Sequence, residues 1–205
     1  MNIGNLILRN SPIVLFAIAP LIQTYYGRRA RPDRGAYAFS REAFRREGAV
    51  LFVAHMAAIF GLSGLLWLYA ARPEDLIWGN LPLGRDWRWL GVGLGVLSLV
   101  GLVEVHRQLG RQWSAYLEIQ ENHQLITTGI YSRVRHPMYT VLILLHLALS
   151  LITANGAVIV FCVMRVILFV ERMRREEAML TAQFGDEYRR YIERTGRLWP
   201  RLGAL

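Results

Sequence analysis

The stretch GAVLFVAHMAAIFGLSGLLWLYAA occupies residues 48–71 and contains no Asp, Glu, Lys or Arg. About 20 consecutive apolar residues are enough for a helix to cross the hydrocarbon core of a bilayer, and this run has 24 residues without a formal charge. An uncharged run of this length is typical of a transmembrane helix. It therefore decides the predicted fold class, which is an all-α, polytopic membrane protein.

Two apolar runs in the carboxyl half predict a helical hairpin. Residues 137–152 and 157–170 are separated by TANG, a turn-forming sequence that is too short for anything but a tight connection. We therefore expect these two spans to be antiparallel neighbours. The single cysteine, Cys162, lies in the second of them, so no disulfide is expected within the monomer and its predicted role is packing.

Two further runs bring the predicted number of spans to about five. Residues 89–103 follow Trp87, and aromatic residues concentrate at membrane interfaces. Residues 11–26 are apolar but contain Pro12 and Pro20, which predicts a slightly irregular first span. In length this run also resembles the hydrophobic part of a signal peptide, although it lacks a strongly basic start and a clean cleavage site.

The basic residues, which are all arginines, predict the orientation of the spans. Of the 24, seven lie in the loop at residues 27–47, four lie between Arg107 and Arg135, and eight lie in the tail that begins at Arg172. In a five-span arrangement these three regions share one side of the membrane. Because cytoplasmic loops carry an excess of positive charge, we expect a bacterial inner-membrane protein with an external amino terminus and a cytoplasmic carboxyl terminus.

The formal net charge of +9 raises the question of nucleic-acid binding, since the segment RRARPDR at residues 28–34 is strongly basic. The predicted topology explains this charge better. Anionic lipid on the cytoplasmic leaflet is a sufficient partner for such a loop. We therefore expect no nucleic-acid partner, and the sequence leaves the oligomeric state open.

The segment GVGLG superficially resembles a dinucleotide-binding loop. It lies inside a hydrophobic run and no strand precedes it, so the context that such a loop needs is missing. Gly91 and Gly95 are four residues apart, and small residues at this spacing let membrane helices approach closely. We therefore predict a helix-packing role for them.

The segment HQLITTGIYSRVRHPMY, residues 123–139, carries the polar groups of a candidate pocket. Pro137 suits the first turn of a helix, where its missing amide hydrogen costs nothing, and His136 would then lie at the cytoplasmic mouth of a span. Taken alone, RHP also describes a helix start with an interfacial histidine. Tyr131, Arg135 and Tyr139 follow at intervals of four, and such a mixture of rings, donors and backbone amides favours a small-molecule site.

The last predicted span carries a stripe of charge. Arg165, Arg172 and Glu176 are separated by seven and four residues, so at 100° per residue they fall within about 20° of one line along a helix. A charge inside the hydrocarbon usually faces a partner or a wet cavity. The alternatives for Arg165 are that it reaches an interface or pairs with Glu104. For Glu176 and its neighbour Glu177, the alternative is an ordinary solvated helix start.

Several separated motifs occur together in one order: LGRQWS, HQLI, RHPMY, REEAML and FGDEYRRYIERTGRLWP. With them, residues 109–200 resemble the isoprenylcysteine carboxyl methyltransferase family, whose relatives include phospholipid N-methyltransferases and small bacterial membrane methyltransferases. The resemblance implies one integral membrane methyltransferase domain over residues 1–205. Its amino-terminal spans would occupy residues 1–108, and its cofactor-binding catalytic region would occupy residues 109–205.

The resemblance also implies the cofactor, S-adenosylmethionine, and a cytoplasmic pocket formed by the connection before the fourth span and the carboxyl-terminal helix. No metal is implied. Arg172 matches an arginine that binds substrate in the family, and Arg165 would assist it. The positions that match the cofactor-binding ones are Gln120, His123, Gln124, Leu125, Ile126, Tyr131, His136, Pro137, Met138, Tyr139 and Glu176.

The acceptor that the resemblance implies is a membrane lipid or a lipid-anchored or lipophilic molecule. Carboxyl O-methylation is favoured, because a carboxylate is already ionised at neutral pH and the stripe offers no dedicated base for an amine. RHPMY continues as TVLILL and lacks the Gly-Trp of the animal enzymes, which argues against prenylated proteins as substrates. Four alternatives stay open: methylation of a phospholipid amine, methylation of a thiol, a nicotinamide-dependent sterol reductase, and a non-catalytic scaffold.

Overall fold

The computed structural model describes residues 2–30, 44, 47–114 and 124–201. Short 3-10 helices connect the longer elements, at Pro73–Gly79, Gly110–Gln112 and Gly129–Ser132. Within the described ranges the chain has isolated β-bridges but no strand, so the prediction of an all-α fold is confirmed. The α-helices are α1 (Ile3–Ala30), α2 (Ala49–Ala71), α3 (Arg85–Leu109), α4 (Pro137–Thr153), α5 (Gly156–Phe184) and α6 (Asp186–Arg194).

Within the described residues, three helices are long and apolar enough to cross a membrane, namely α1, α2, and α3 together with the turn that extends it to Gln112. Helix α4 is apolar but has only 17 residues, about 25 Å at 1.5 Å per residue, against a hydrocarbon core of about 30 Å. Helix α5 contains Arg165 and a charged run from Glu171. The protein is thus an integral membrane protein, while crossings by α4 and α5 stay predictions.

The helices extend further than the hydropathy of the sequence predicts. Helix α1 is continuous from Ile3 to Ala30 with both prolines inside it, so the first connection starts later than Gly27. Helix α3 likewise begins at Arg85 and ends at Leu109. Hydropathy marks the apolar part of a helix, whereas backbone hydrogen bonding continues into the polar flanks on both sides of the membrane.

The apolar residues divide between a packed interior and an outer surface. Large side chains such as Val50, Phe60 and Ile167 are more than 60% exposed on the outside of their helices, as expected for surfaces that face lipid. The interior cluster draws on α1 to α5 and comprises Leu8, Leu15, Ala19, Leu62, Leu66, Leu102, Val141, Leu145, Leu149, Ile152, Val158 and Cys162.

The first and last glycines of GVGLG lie where α3 meets its neighbours. A Cβ at Gly91 would lie 2.9 Å from a side-chain carbon of Ile152 on α4. A Cβ at Gly95 would lie 2.6 Å from Leu15 on α1. At Gly91, a main-chain oxygen of α4 lies almost as close, so only glycine permits α3 and α4 to pack at this distance, whereas at Gly95 the near atom is the end of a flexible leucine side chain. The predicted packing role is confirmed.

The TANG hairpin is also confirmed. Helix α4 ends at Thr153, and Ala154 adopts a left-handed conformation with φ of 45°. The buried Asn155 side chain then caps α5 by accepting hydrogen bonds from the amides of Ala157 and Val158. Its amide group donates to the carbonyl of Leu76 at 2.9 Å, so the hairpin is fastened to the 3-10 helix at Pro73–Gly79.

At the opposite end of the bundle, the chain after α6 forms a strap, residues 195–200, across the segment that precedes α4. The amide of Arg135 donates to the carbonyl of Gly196 at 2.9 Å, and the amide of His136 donates to the carbonyl of Arg197 at 3.0 Å. The Thr140 hydroxyl donates to the carbonyl of Leu198 at 2.7 Å. The strap therefore holds the RHPMY segment against the carboxyl-terminal part of the chain.

The two ends of the bundle give a direct test of the predicted orientation. We expect a cysteine at Asp75, introduced in a Cys162→Ala background, to react with a membrane-impermeant maleimide in intact cells. A cysteine at Arg190 on α6 should react only after permeabilisation, because the positive-inside bias places α6 in the cytoplasm. Both positions are exposed, so the pair is matched. The opposite pattern of labelling would overturn the orientation.

Candidate active site

A cavity of about 290 Å³ lies between α2, α4, α5, α6 and the connection that precedes α4. Pro137 does not reach its wall, since it is buried in the first turn of α4. The predicted residues Gln120 and His123 lie outside the described residues. The other predicted residues line this one cavity: Gln124, Leu125, Ile126, Tyr131, His136, Met138, Tyr139, Arg165, Arg172 and Glu176.

The adjacent acids of REEAML, Glu176 and Glu177, have different surroundings. The carboxylate of Glu177 contacts three basic side chains. Its carboxylate lies 2.8 Å from Arg197, 3.4 Å from Arg135 and 3.1 Å from Nε2 of His136. Burial alone would raise the pKa of Glu177, but the hydrogen bond from His136 and the charges of His136, Arg197 and Arg135 together hold it below its ordinary value. Glu177 therefore fastens the strap to α5.

Glu176 faces the cavity instead. One carboxylate oxygen accepts a hydrogen bond from the Tyr139 hydroxyl at 3.0 Å and lies 4.0 Å from Nδ1 of His136, while the side chain is 30% exposed. Burial and the charge of Glu176 hold the pKa of Tyr131 well above its usual range, so this phenol stays a donor at neutral pH. Glu176 is thus an ionisable group with room for a ligand.

His136 is placed by its sequence neighbours on both sides. Pro137 begins α4, and the main chain of His136 pairs with the strap, so the ring is fixed between the two acids. Its Nε2 atom is engaged with Glu177. Only the Nδ1 atom is left to face Glu176, at 4.0 Å, and the cavity.

Arg172 has a partner that the sequence did not indicate. Its guanidinium lies 3.0 Å from the carboxylate of Glu47, which is almost completely buried just before α2. The neighbouring Arg175 donates to the main-chain carbonyl of Glu47 at 2.6 Å. Both Glu47 and Arg172 line the cavity. Most of the positive charge of Arg172 is therefore balanced within the protein.

Arg165 differs from Arg172 in having no acid beside it in the part of the chain that the structure describes. It is 8% exposed and lines the cavity, and its guanidinium stacks 4.6 Å from the centre of the Phe169 ring. The Nε and Nη1 atoms have no hydrogen-bond partner among the described residues. Glu104, the alternative partner considered for it, contacts Gln108 and Arg107 on its own helix.

The rest of the wall near Arg165 is largely apolar and comes from elements without a recognisable motif. Phe52, Met56 and Ile59 of α2 line the cavity together with Leu142 of α4 and Phe169 of α5. His55 of α2 is the polar exception there. A histidine inside an uncharged span is itself a sign of function, but the sequence contained no indication of what His55 faces. No group of three or more metal-ligating side chains occurs among the described residues.

Comparisons with known proteins agree with this architecture. The model of the isoprenylcysteine carboxyl methyltransferase (ICMT) family matches residues 91–182. The cobalt-zinc-cadmium resistance protein CzcN of Cupriavidus metallidurans is 33% identical over 153 residues, which cover 69% of this chain and 70% of that protein. The protein-S-isoprenylcysteine O-methyltransferase A of Arabidopsis thaliana is 30% identical over 142 residues, which cover 65% of this chain and 70% of that protein.

The fold has a counterpart among solved structures. The eukaryotic intramembrane Ras methyltransferase ICMT, solved without a monobody, superposes on 93% of this chain and 67% of its own with a TM-score of 0.57. The identity is 18%, so this likeness concerns the fold. The match to the family model and the alignment with the Arabidopsis enzyme show a relationship in sequence as well as in fold. The chain belongs to the isoprenylcysteine carboxyl methyltransferase family of integral membrane methyltransferases.

Proposed function

We propose that the protein transfers a methyl group from S-adenosylmethionine to the carboxylate of a lipophilic acceptor that enters from the membrane. The observation that carries the proposal is Arg165, a buried cation without an acidic partner among the described residues, on the wall of a cavity whose other end holds Glu176. A buried unpaired charge is costly. An anionic acceptor would remove that cost when it binds.

The residues at the Glu176 end fit the chemistry of the cofactor. When bound, S-adenosylmethionine supplies an electrophilic methyl group on a sulfonium. Glu176 would bind its ammonium group, because a carboxylate makes strong charge-assisted hydrogen bonds with such a cation. Tyr131 and Tyr139 add hydroxyl groups to the same end. Leu125 and Ile126 lie on the wall outside any helix, so their main-chain groups are available to a ligand.

The residues at the Arg165 end fit an acidic acceptor. A planar guanidinium binds two carboxylate oxygens at once, and the apolar wall around it excludes water from the reacting groups. A carboxylate needs no general base because it is ionised at neutral pH. The protein would therefore act mainly by aligning the acceptor oxygen with the methyl group. Arg172, already balanced by Glu47, would support this alignment from between the two ends.

The class of acceptor and the location of the protein belong to the same proposal. The acceptor is a membrane lipid or a lipid-anchored molecule, and the membrane is the bacterial inner membrane with the Glu176 end of the cavity open to the cytoplasm. This orientation gives access to a soluble cytoplasmic cofactor. Transfer to a phospholipid amine or a thiol is the competing possibility, and it would have to remove a proton from the acceptor.

The chemistry of the product separates these possibilities. Purified protein in lipid nanodiscs is incubated with methyl-tritiated S-adenosylmethionine and lipophilic carboxylic acids, amines and thiols in parallel. We expect tritium in the acid fraction, released as volatile methanol by mild alkali, because alkali cleaves methyl esters but not N-methyl or S-methyl groups. Alkali-stable label in the amine or thiol fraction alone would overturn the proposed carboxylate acceptor.

A further inference from the structure

The protonation of the His55 ring follows from its contacts. Its Nδ1 atom lies 3.0 Å from the carbonyl oxygen of Leu51, one turn earlier on α2. A carbonyl oxygen only accepts hydrogen bonds, so Nδ1 carries the hydrogen. Nε2 of the neutral ring is then a bare acceptor. It is buried and has no hydrogen-bond partner among the described residues.

The surroundings of His55 favour the neutral ring. The ring is 3% exposed and packs near Phe169, with 6.2 Å between the ring centres. Arg165 stacks on the same Phe169 ring. A second positive charge buried near a guanidinium that has no acidic partner among the described residues would be strongly unfavourable. His55 and Arg165 both line the cavity, so this part of its wall carries a hydrogen-bond acceptor as well as a set of donors.

Donor and acceptor together define a complementary ligand. The group that Arg165 binds must accept hydrogen bonds, and the group that Nε2 of His55 binds must donate one. A carboxylate satisfies the first condition but not the second, since its oxygens carry no hydrogen. A neighbouring N–H or O–H group on the same acceptor satisfies the second.

We propose that His55 is a specificity-determining residue, and that it binds an N–H or O–H group next to the carboxylate of the acceptor. The preferred acceptors are then acids of the N-acyl amino acid or 2-hydroxy acid type, and plain fatty acids are poor acceptors. This inference rests on the proposed carboxylate methylation. His55 is a binding residue in it, because an ionised carboxylate needs no base.

His146 provides a matched control within the same fold. Its Nδ1 atom lies 2.7 Å from the carbonyl of Leu142 and its Nε2 is equally buried without a partner among the described residues. It also packs against Phe169, at 5.5 Å between ring centres. It differs from His55 in lying off the cavity wall. Its replacement should therefore perturb the bundle without changing the choice of acceptor.

The experiment compares two acceptors of nearly the same shape. N-palmitoylglycine has an N–H next to its carboxylate, and palmitoyloxyacetic acid has an ester oxygen in that place. We expect wild-type protein in nanodiscs to methylate the amide with a kcat/KM about tenfold or more above that of the ester. In His55→Phe this ratio should fall close to one, and in His146→Phe it should stay as in the wild type.

Each outcome has a definite meaning. Equal methylation of both acids by the wild type, or a ratio that His55→Phe leaves unchanged, would overturn the role of His55 while carboxylate methylation stands. Cofactor binding without methylation of any acid would overturn the proposed function itself. The comparison in the wild type does not depend on any variant. His55 lies in a packed helix, where a larger ring can disturb folding. His55→Leu therefore serves as a second variant, and cofactor affinity shows whether each variant has folded.

Discussion

Replacing Glu176 with glutamine is expected to weaken the binding of S-adenosylmethionine about tenfold or more. The change keeps the shape of the side chain but removes the negative charge that faces the cavity. A hydrogen bond to a charged group contributes about 1.5–3 kcal/mol, and about 1.4 kcal/mol corresponds to a factor of ten in affinity. Calorimetry on purified protein in nanodiscs measures the dissociation constant directly.

Glu177→Gln is the matched control, one residue along the same helix. It should leave cofactor affinity within about threefold of the wild type. It should lower stability at neutral pH by about 2 kcal/mol, because Arg135 and Arg197 lose their acid and His136 loses a carboxylate partner. The pKa of Glu177 is lowered on folding, so its contribution is present above the ordinary value of 4.5 and is lost as the pH falls through the lower folded value. The difference in stability should therefore shrink in acid. Equal losses of affinity in both variants would remove Glu176 from the cofactor site.

Replacing Arg165 with methionine is expected to reduce kcat/KM for a lipophilic acid about 100-fold, with the cofactor dissociation constant unchanged. Two charge-assisted hydrogen bonds to the acceptor would be lost at once. The stability of the protein without ligand should not fall, because a buried charge that lacks an acidic partner among the described residues is replaced by an apolar side chain of similar length. Turnover kinetics and thermal unfolding of the same preparation provide both measurements.

Arg172→Lys distinguishes the two arginines. Lysine keeps the charge that Glu47 balances but loses the planar fork, so turnover should fall by about tenfold and cofactor affinity should change little. The proposed division of roles would be wrong if Arg165→Met lost cofactor affinity in parallel with turnover. If Arg165→Met were less stable than the wild type, the absence of an acidic partner for Arg165 among the described residues would no longer explain its energetics.

The stripe on α5 is the part of the site that helical geometry alone could predict. Arg165, Arg172 and Glu176 are related by the period of one helix, and the structure places all three on one cavity wall. Glu177 is 100° further round the same helix, and it contacts the strap. Periodicity is a local property, so it separates two adjacent acids without knowledge of the rest of the fold.

Residues that reach the cavity from distant parts of the chain could not be predicted in the same way. Glu47 is 125 positions from its partner Arg172, and it follows an arginine-rich stretch of sequence that indicates no more than positive charge. His55 lies in a run without formal charge, and such a run predicts a helix that contacts lipid on every side. Which face of α2 turns inward is decided by tertiary packing, because a uniformly apolar helix has no polar face to mark its orientation.

The strap at the carboxyl end is another contact that could not be predicted from the sequence. The family motif indicated that FGDEYRRYIERTGRLWP belonged with RHPMY, but it did not indicate how they meet. Main-chain pairing of Arg135 and His136 with residues 196 and 197 joins them, and main-chain pairing leaves little trace in side-chain pattern. The ends of α1 and α3 were also missed, because hydropathy reports the membrane and not the extent of a helix.

The most direct test of the central claim is a structure of the protein with S-adenosylhomocysteine, the product that remains after methyl transfer. The proposed site predicts that this ligand lies in the cavity, with its ammonium within about 3 Å of the Glu176 carboxylate and its sulfur facing the Arg165 end. A ligand bound outside the cavity, or one whose amino-acid end lies away from Glu176, would contradict the proposed active site.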